Sequence, residues 1–521
     1  MNLRLRLLNG TDRLLAALVA TLLFGSTLAF GGQVWWAPPA LAGVCLALVL
    51  ACLLRMLLDG KVRLLKSPLT ALWVLALALA ATQVVPLPPS VAVALSPSSR
   101  AAYTVGVLPG RVRELDPALE LPEGPTIRSP VSLDRPATLR WIAAAAACLA
   151  VFWASSHYAD RLGHLYVVWG SVLAGFFLNS AMAVVQLVCR SKGLMSTYFE
   201  PGVGPAWGPN ANDLLTAPNS AVLRSLGEPQ PGHPAWAMLA ADRPYSIGTL
   251  MGGTGAYLAL GSLVLPLALG LTLQLLAPRG SREPLSARLG QSGQGGLVVL
   301  LLGLLVVSAS VVGVLAGTAL CVPFALGLLV AGLPATWRTG LRWSAAGLTF
   351  LTLAALAGGV ALGAFWSGST TYPMPVAPLE LGPATRVWAD ALAIVRDFPV
   401  VGSGLGSFAS VYPFYKSLDA SPTTASSSLL QWWVEAGFAG FGLLTLAGLW
   451  CVARLPAAIR KVGTADRSLV FGLIGAALGF TVFSAVHWTV ELVSVALAAS
   501  ALGGTFNRWL AGGTDLFVER G

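Results

Sequence analysis

Charged residues are scarce in this 521-residue chain, making up 10% of it, where a soluble globular protein has about a quarter. So few charges cannot cover a water-facing surface of this size, which excludes a string of soluble domains. Histidine is rarer still, with 4 in the whole chain. The cysteines Cys45, Cys52, Cys148, Cys189, Cys321 and Cys451 lie in or beside apolar runs without metal-ligand spacing. They read as small buried hydrophobes, so neither a disulfide framework nor a metal centre is expected. The net charge of +10 raises the question of a nucleic-acid partner. Its basic residues form no stripe interleaved with aromatics, so none is expected.

What the chain has in abundance is apolar sequence: 56% hydrophobic residues and a mean hydropathy of +0.75. The runs reach the length of about 20 residues that crosses a bilayer as helix. Twelve candidate spans cover about 14–31, 36–56, 68–86, 138–156, 164–188, 247–276, 296–313, 316–334, 343–367, 426–451, 468–488 and 490–509. The expected fold class is all-α: a polytopic membrane helix bundle of about 12 transmembrane helices with long extracytoplasmic loops. Only "SVVGVLAGT" divides 296–313 from 316–334, and one kinked span there would leave eleven. Leu14 to Phe30 follows a basic start and precedes a second span at once, so it reads as an anchor rather than a cleaved signal.

Orientation follows from the positive-inside bias. With the N-terminus in the cytoplasm, 19 of the 32 basic residues fall in short inside segments, and no short outside turn carries Lys or Arg. Both termini are then cytoplasmic. The three long loops, 87–137, 189–246 and 368–425, all fall outside. They divide the chain into helices of 1–188 with the first outer loop, a second outer loop at 189–246, central helices of 247–367, a main outer loop at 368–425, and C-terminal helices of 426–521. Loops this long are usually functional. Their position points to work at the outer membrane surface, where a transporter would keep its chemistry at mid-membrane.

The stretch "RVWADALAIVRDFPVVGSGLGSFASVYPFYK" begins at Arg386. Val387, Ala391, Ile394 and Val395 have the spacing of a short amphipathic helix on the membrane surface. Phe398-Pro399 stops it, and Gly402, Gly404 and Gly406 then form a turn where backbone can approach a ligand closely. No strand precedes this turn and no Lys follows, so it is not a nucleotide loop. Further on, Gln431 and Glu435 lie four residues apart on one helix face. An acid in the first turns of a span is a functional candidate, because leaving it in lipid is costly. The alternative is that Glu435 pairs with a loop arginine and fixes the helix.

These residues resemble the signature of the O-antigen ligase and O-antigen polymerase superfamily of multispanning glycosyltransferases. The resemblance rests on Arg386 with Trp388, "FPVVGSGLGSF", Tyr412 and Tyr415, and "EAGFAG" from Glu435 to Gly440. Upstream, "DRPYSIGTLMGGTGAYLAL" with Arg243, and "QVVPLPPSVAVALSP" early in the chain, are similar to further family stretches. The likeness is strongest over about 380–445. It implies transfer of a glycan from an undecaprenyl-diphosphate carrier to a glycan or glycolipid acceptor at the outer face of a bacterial inner membrane, without cofactor or metal. Arg386 and Arg243 would neutralise the diphosphate leaving group through charge-assisted hydrogen bonds. For each the alternative is a headgroup-level anchor. Substrate contacts would include Trp388, Gly404, Gly406, Tyr412 and Gln431, with Glu435 among the catalytic groups.

The chain departs from the family at one place: a His-Asn pair expected before the glutamate is Ser426-Ser427 here. The nearest substitute is His487, at the outer end of a span with Glu491 four residues later, where the two could share a proton. Alternatively His487 belongs to an aromatic belt beside Trp488. His157 and His164 face the cytoplasm in this topology, while His233 lies in the second outer loop. Three readings remain open: a lipid-linked glycan transferase of ligase or polymerase type, a lipid transporter, and a non-catalytic relative that binds the carrier.

Overall fold

The computed structural model describes residues 2–28, 37–60, 65, 67–105, 128–158, 162–191, 254–276, 294–332, 342–367, 381–417, 424–463, 466–487, 489 and 493–511. Their helices are α1 (Asn2–Leu28), α2 (Ala37–Asp59), α3 (Pro68–Val84), α4 (Pro89–Leu95), α5 (Pro97–Val105), α6 (Arg135–Tyr158), α7 (Leu162–Ser191) and α8 (Thr254–Leu276). After these come α9 (Gln294–Gly332), α10 (Arg342–Ser367), α11 (Leu381–Asp397), α12 (Phe408–Val411), α13 (Ser428–Lys461), α14 (Arg467–Val486) and α15 (Val493–Leu510). Among the described residues there is no strand, and Leu87 and Ser129 form an isolated antiparallel bridge. Nine of the described helices are long and apolar enough to cross a membrane. The protein is an all-α, polytopic helical membrane protein.

The bundle is built around α8, whose most apolar stretch is 94% buried. It packs against α9 and α14, while α6 runs along α15 and α1 lies between α2 and α7. Leu260, Val264, Leu267 and Leu269 of α8 are fully buried, together with Phe176, Val312, Phe324 and Phe483 from its neighbours. Leucines on α2 such as Leu46, Leu50 and Leu57 are exposed, as expected of a face turned to lipid rather than water.

Helix α9 has 39 residues, which as a straight rod would be about 58 Å long, nearly twice a bilayer core. It is not straight. Gly317 takes φ 62°, ψ −171°, a conformation open essentially to glycine alone. On the far side of that residue the chain runs back. Gly313 lies against Gly359 of α10, whereas Gly332 lies against Thr349, ten residues earlier on the same helix. Val312 lies by Gly261 of α8 and Gly327 by Pro266, so 15 residues of α9 are matched by only 5 of α8, too few for an unbroken rod. The weakly marked division between 296–313 and 316–334 is therefore a real reversal at Gly317.

Helix α13 shows the same device. Gly437 takes φ 61°, ψ −163°. The rings of Trp433 and Phe441 stack with centroids 5.1 Å apart, although eight residues of straight helix rise about 12 Å. Ser428 to Ala436 is thus a short arm folded against the long helix that follows. The sequence reading of one span over 426–451 is corrected here: Glu435 sits in the arm, ahead of the break. The periodicity of an apolar run does not register a glycine break that keeps helical residues on both sides.

Close helix approach is set by glycine, as is common between membrane helices. A Cβ at Gly359 would overlap the Ser310 carbonyl, while one at neighbouring Gly358 would meet nothing within 4 Å. Gly359→Ala is expected to cost about 1–3 kcal/mol from overpacking, read as a lower midpoint of unfolding in detergent. Gly358→Ala is expected to be neutral or slightly stabilising; equal behaviour of the two would contradict the packing described.

Candidate functional site

Apart from the main bundle core, a small apolar core forms where α11 meets the arm of α13. It contains Val387, Ala391, Ile394, Val395, Phe398, Phe408, Val411, Tyr412, Ala425 and Val434. The spacing that foretold an amphipathic helix is confirmed, since Val387, Ala391, Ile394 and Val395 are all buried. Their cover is a correction: Phe408, Val411, Tyr412 and Val434 of this same chain take the place expected of the membrane surface. Those side chains offer α11 a packed apolar partner. The opposite face of α11 keeps Arg386, Leu392 and Arg396 exposed.

Between α11 and α12 runs the glycine turn. Gly402, Gly404 and Gly406 have φ of 74°, 114° and 79°, the left-handed side of the map that costs glycine nothing. The turn lies in the break of α13, and the two share their hydrogen bonds. In an unbroken helix the amides of Phe438 and Ala439 would pair with the carbonyls of Val434 and Glu435. Here Phe438 donates to Pro399 O at 2.8 Å and Ala439 to Val400 O at 3.0 Å. The freed carbonyls of Val434 and Glu435 accept from Ser403 and Gly404, each at 3.1 Å. A Cβ at Gly402 would overlap the Glu435 carbonyl, so the approach needs glycine.

The Glu435 side chain, 3% exposed, completes the joint. Its Oε2 accepts from Gly406 N at 2.8 Å and its Oε1 from Phe408 N at 3.1 Å. Gln431 Nε2 donates to the same Oε1 at 3.1 Å, and Gln431 Oε1 accepts from Ala425 N. No arginine partner is needed to account for this buried acid, because charge-assisted bonds from backbone amides satisfy it. Every amide from Ser403 through Phe408 has an acceptor within the protein: Ser407 donates to Gly404 O and Leu405 to Gln83 Oε1. The glycines were expected to bring backbone near a ligand; the backbone and side chains they bring near are the protein's own. Gly404, for instance, rests on Ser132.

Beyond the turn, α11 holds the following segment by its acids. Tyr412 donates to Asp390 Oδ2 at 2.9 Å, and Ser417 adds its amide and hydroxyl to the same oxygen. Tyr415 donates to Asp397 at 2.6 Å. Burial, and next Asp390, push the Tyr412 phenol well above its ordinary range, so it remains a neutral donor at physiological pH. Asp134 accepts from Ser410 and also from Ala137 N at the start of α6.

The structure thus joins Glu435, Gln431, Gly404, Gly406 and Tyr412, five of the residues singled out from sequence, in one module. Arg386 and Trp388 lie on α11 of that module. Among the described residues Arg386 has no hydrogen-bonding or ionic partner, and the Trp388 indole N–H has no acceptor. His487 is 2% exposed and stacks on Phe483, and its carbonyl accepts from Ser428 N at 3.3 Å. That places it beside the start of the arm, about 10 Å along the helix from Glu435. Arg243, His233 and Glu491 lie outside the described residues. Gln83, Asp390, Asp397 and Asp134 were missed. Their partners are distant in sequence, and the only local sign of Gln83 was a polar residue at the end of an apolar run. No family model matches this chain, and no curated protein matches it.

Removing the carboxylate strands the buried amide of Phe408 and the half-buried amide of Gly406. Glu435→Ala is expected to cost about 3 kcal/mol or more, since a buried unpaired donor costs about 1–3 kcal/mol. Gly402→Ala is expected to cost at least as much, because it combines strain with overlap. Thermal unfolding of the purified variants checks both; unchanged midpoints would remove the turn from the account.

Proposed function

We propose that this chain is an O-antigen ligase-like glycosyltransferase of a bacterial inner membrane. It would move a glycan from an undecaprenyl-diphosphate carrier to an acceptor at the outer face, with both termini cytoplasmic. The observation that carries the reading is that the separated pieces of the motif pack as one module, whose helix α11 holds two guanidinium groups, those of Arg386 and Arg396, on its exposed face. An exposed guanidinium can offer a diphosphate its planar set of donors, and Arg386 is the one that belongs to the motif.

In this reading the acceptor hydroxyl attacks the anomeric carbon of the donor sugar. The new C–O bond forms as the bond to the diphosphate oxygen breaks, and the diphosphate leaves with the electron pair. Arg386 stabilises the charge that gathers there, and Arg243 is proposed as its second cation. Because the amides of the glycine turn are already bonded, this work is assigned to side chains rather than to a backbone anion nest. Glu435 acts by holding the turn, and Gln431 by orienting Glu435. Gly404 and Gly406 set the path of the turn, while Tyr412 fixes it to α11 and Trp388 offers its indole N–H to the glycan. His487 is proposed as acceptor of the hydroxyl proton, standing beside the arm where Ser426-Ser427 replace the family's pair.

A second reading is favoured by those serines. Ser427 caps the arm by accepting from Leu430 N at 3.2 Å, a structural use, and His487 is buried. A non-catalytic relative that binds the lipid carrier would need neither as a base.

The test uses the full chain in lipid nanodiscs with an undecaprenyl-diphosphate glycan. Acceptors are either lipid A-core, which reports a ligase, or a second lipid-linked repeat unit, which reports a polymerase. Wild type is expected to transfer to one of them. Arg386→Ala is expected to lose roughly 100- to 1000-fold in kcat, the scale of deleting one charge-stabilising donor, and Arg386→Lys to retain part of it. His487→Gln is expected to lower kcat and to flatten its dependence on pH between about 5 and 8. Absence of transfer to both acceptors with carrier still bound would favour the second reading.

A further inference from the structure

Gln83 ends α3 and is 1% exposed, yet its side chain and backbone carry five hydrogen bonds to three distant segments. Nε2 donates to Val401 O at 2.6 Å and to Glu435 O at 3.0 Å. Oε1 accepts from Leu405 N at 3.0 Å. The backbone carbonyl accepts from Val131 N at 3.1 Å and Ser132 N at 2.9 Å. The orientation of the carboxamide is fixed by its surroundings: two carbonyls face one end and an amide faces the other, so a flipped group would set oxygen against oxygen.

We infer that Gln83 is a positioning residue for the glycan transfer proposed above, on which reading its catalytic consequence rests. The carboxamide spans the turn at two points, Val401 and Leu405, on either side of Gly402 and Gly404. It also reaches the Glu435 carbonyl released by the helix break. Glu435 holds the later part of the turn, at Gly406 and Phe408; Gln83 holds the earlier part. Together they fix where α11 leaves the module, and with it Arg386. Through Val131 and Ser132, Gln83 also ties this module to the segment entering α6, where Leu133 N donates to Ser403 O at 2.9 Å. A residue from α3 thus sets the register between two loops hundreds of positions apart in the chain. Such a role demands a group that donates and accepts at once, which Gln supplies and neither Glu nor Leu does.

The test compares wild type, Gln83→Glu and Gln83→Leu as full chains in nanodiscs by hydrogen–deuterium exchange and by steady-state transfer. Gln83→Glu keeps size and the bond from Leu405 but loses both donated bonds; Gln83→Leu loses all three of the side chain. In both, the amides of 403–408 are expected to exchange at least tenfold faster, while those of α8 (Thr254–Leu276) keep the wild-type rate and so report an intact fold. The kcat is expected to fall at least tenfold with KM within about twofold, because a displaced turn alters the reacting geometry more than carrier binding. Wild-type exchange at 403–408 in both variants would overturn the inference, as would an undiminished kcat. Loosened amides in a protein whose wild type transfers nothing would support the hold of Gln83 on the turn and overturn the transfer reading instead.

Discussion

A helix broken inside a protein must find new partners for the backbone groups it gives up, and the module at the end of this bundle is arranged around that requirement. The break at Gly437 releases two amides and two carbonyls, and the glycine turn accepts from the former and donates to the latter. Each element is unsatisfied without the other. A buried polar backbone group left alone costs about 1–3 kcal/mol, and Val434 and Glu435, whose carbonyls are released, are both buried, so the exchange couples the two elements. The positive φ angles at Gly402, Gly404, Gly406 and Gly437 follow from this exchange, since only glycine lets the two backbones meet in this way.

The consequence for chemistry is that the turn is a structural joint. A glycine-rich turn suggests amides aimed at an anion, but from Ser403 to Phe408 those amides are all bonded within the protein. In the proposed function, positive charge for a phosphorylated lipid is then assigned to side chains. Arg386 stands on the exposed face of α11, whose buried face belongs to the same small core as Phe408 and Val434. The joint therefore determines where the guanidinium stands, although the two share no bond. Glu435 and Gln83 act through the joint in the same indirect way.

Much of this was legible in the sequence, and the limits have physical causes. Long apolar runs announced the spans, because a bilayer imposes length and composition on any helix that crosses it. The reversal at Gly317 was correctly suspected from a short glycine-bearing interruption. The apolar spacing of α11 was right about which residues are buried and wrong about what covers them, since spacing reports a buried face and not its partner. Glu435 was correctly marked as unusual, yet its neighbours were not foreseeable. The amides of Gly406 and Phe408 lie 29 and 27 residues away, and Gln83 lies hundreds. The break at Gly437 was missed because helical sequence continues on both sides of it.

The most direct measurement is an experimental structure of the full chain in a bilayer disc with an undecaprenyl-diphosphate glycan bound. The account predicts the diphosphate against the exposed face of α11 in contact with Arg386, while Gly406 and Phe408 remain bonded to Glu435. A diphosphate seated on the amides of the glycine turn with Glu435 displaced, or one bound away from α11 altogether, would contradict it.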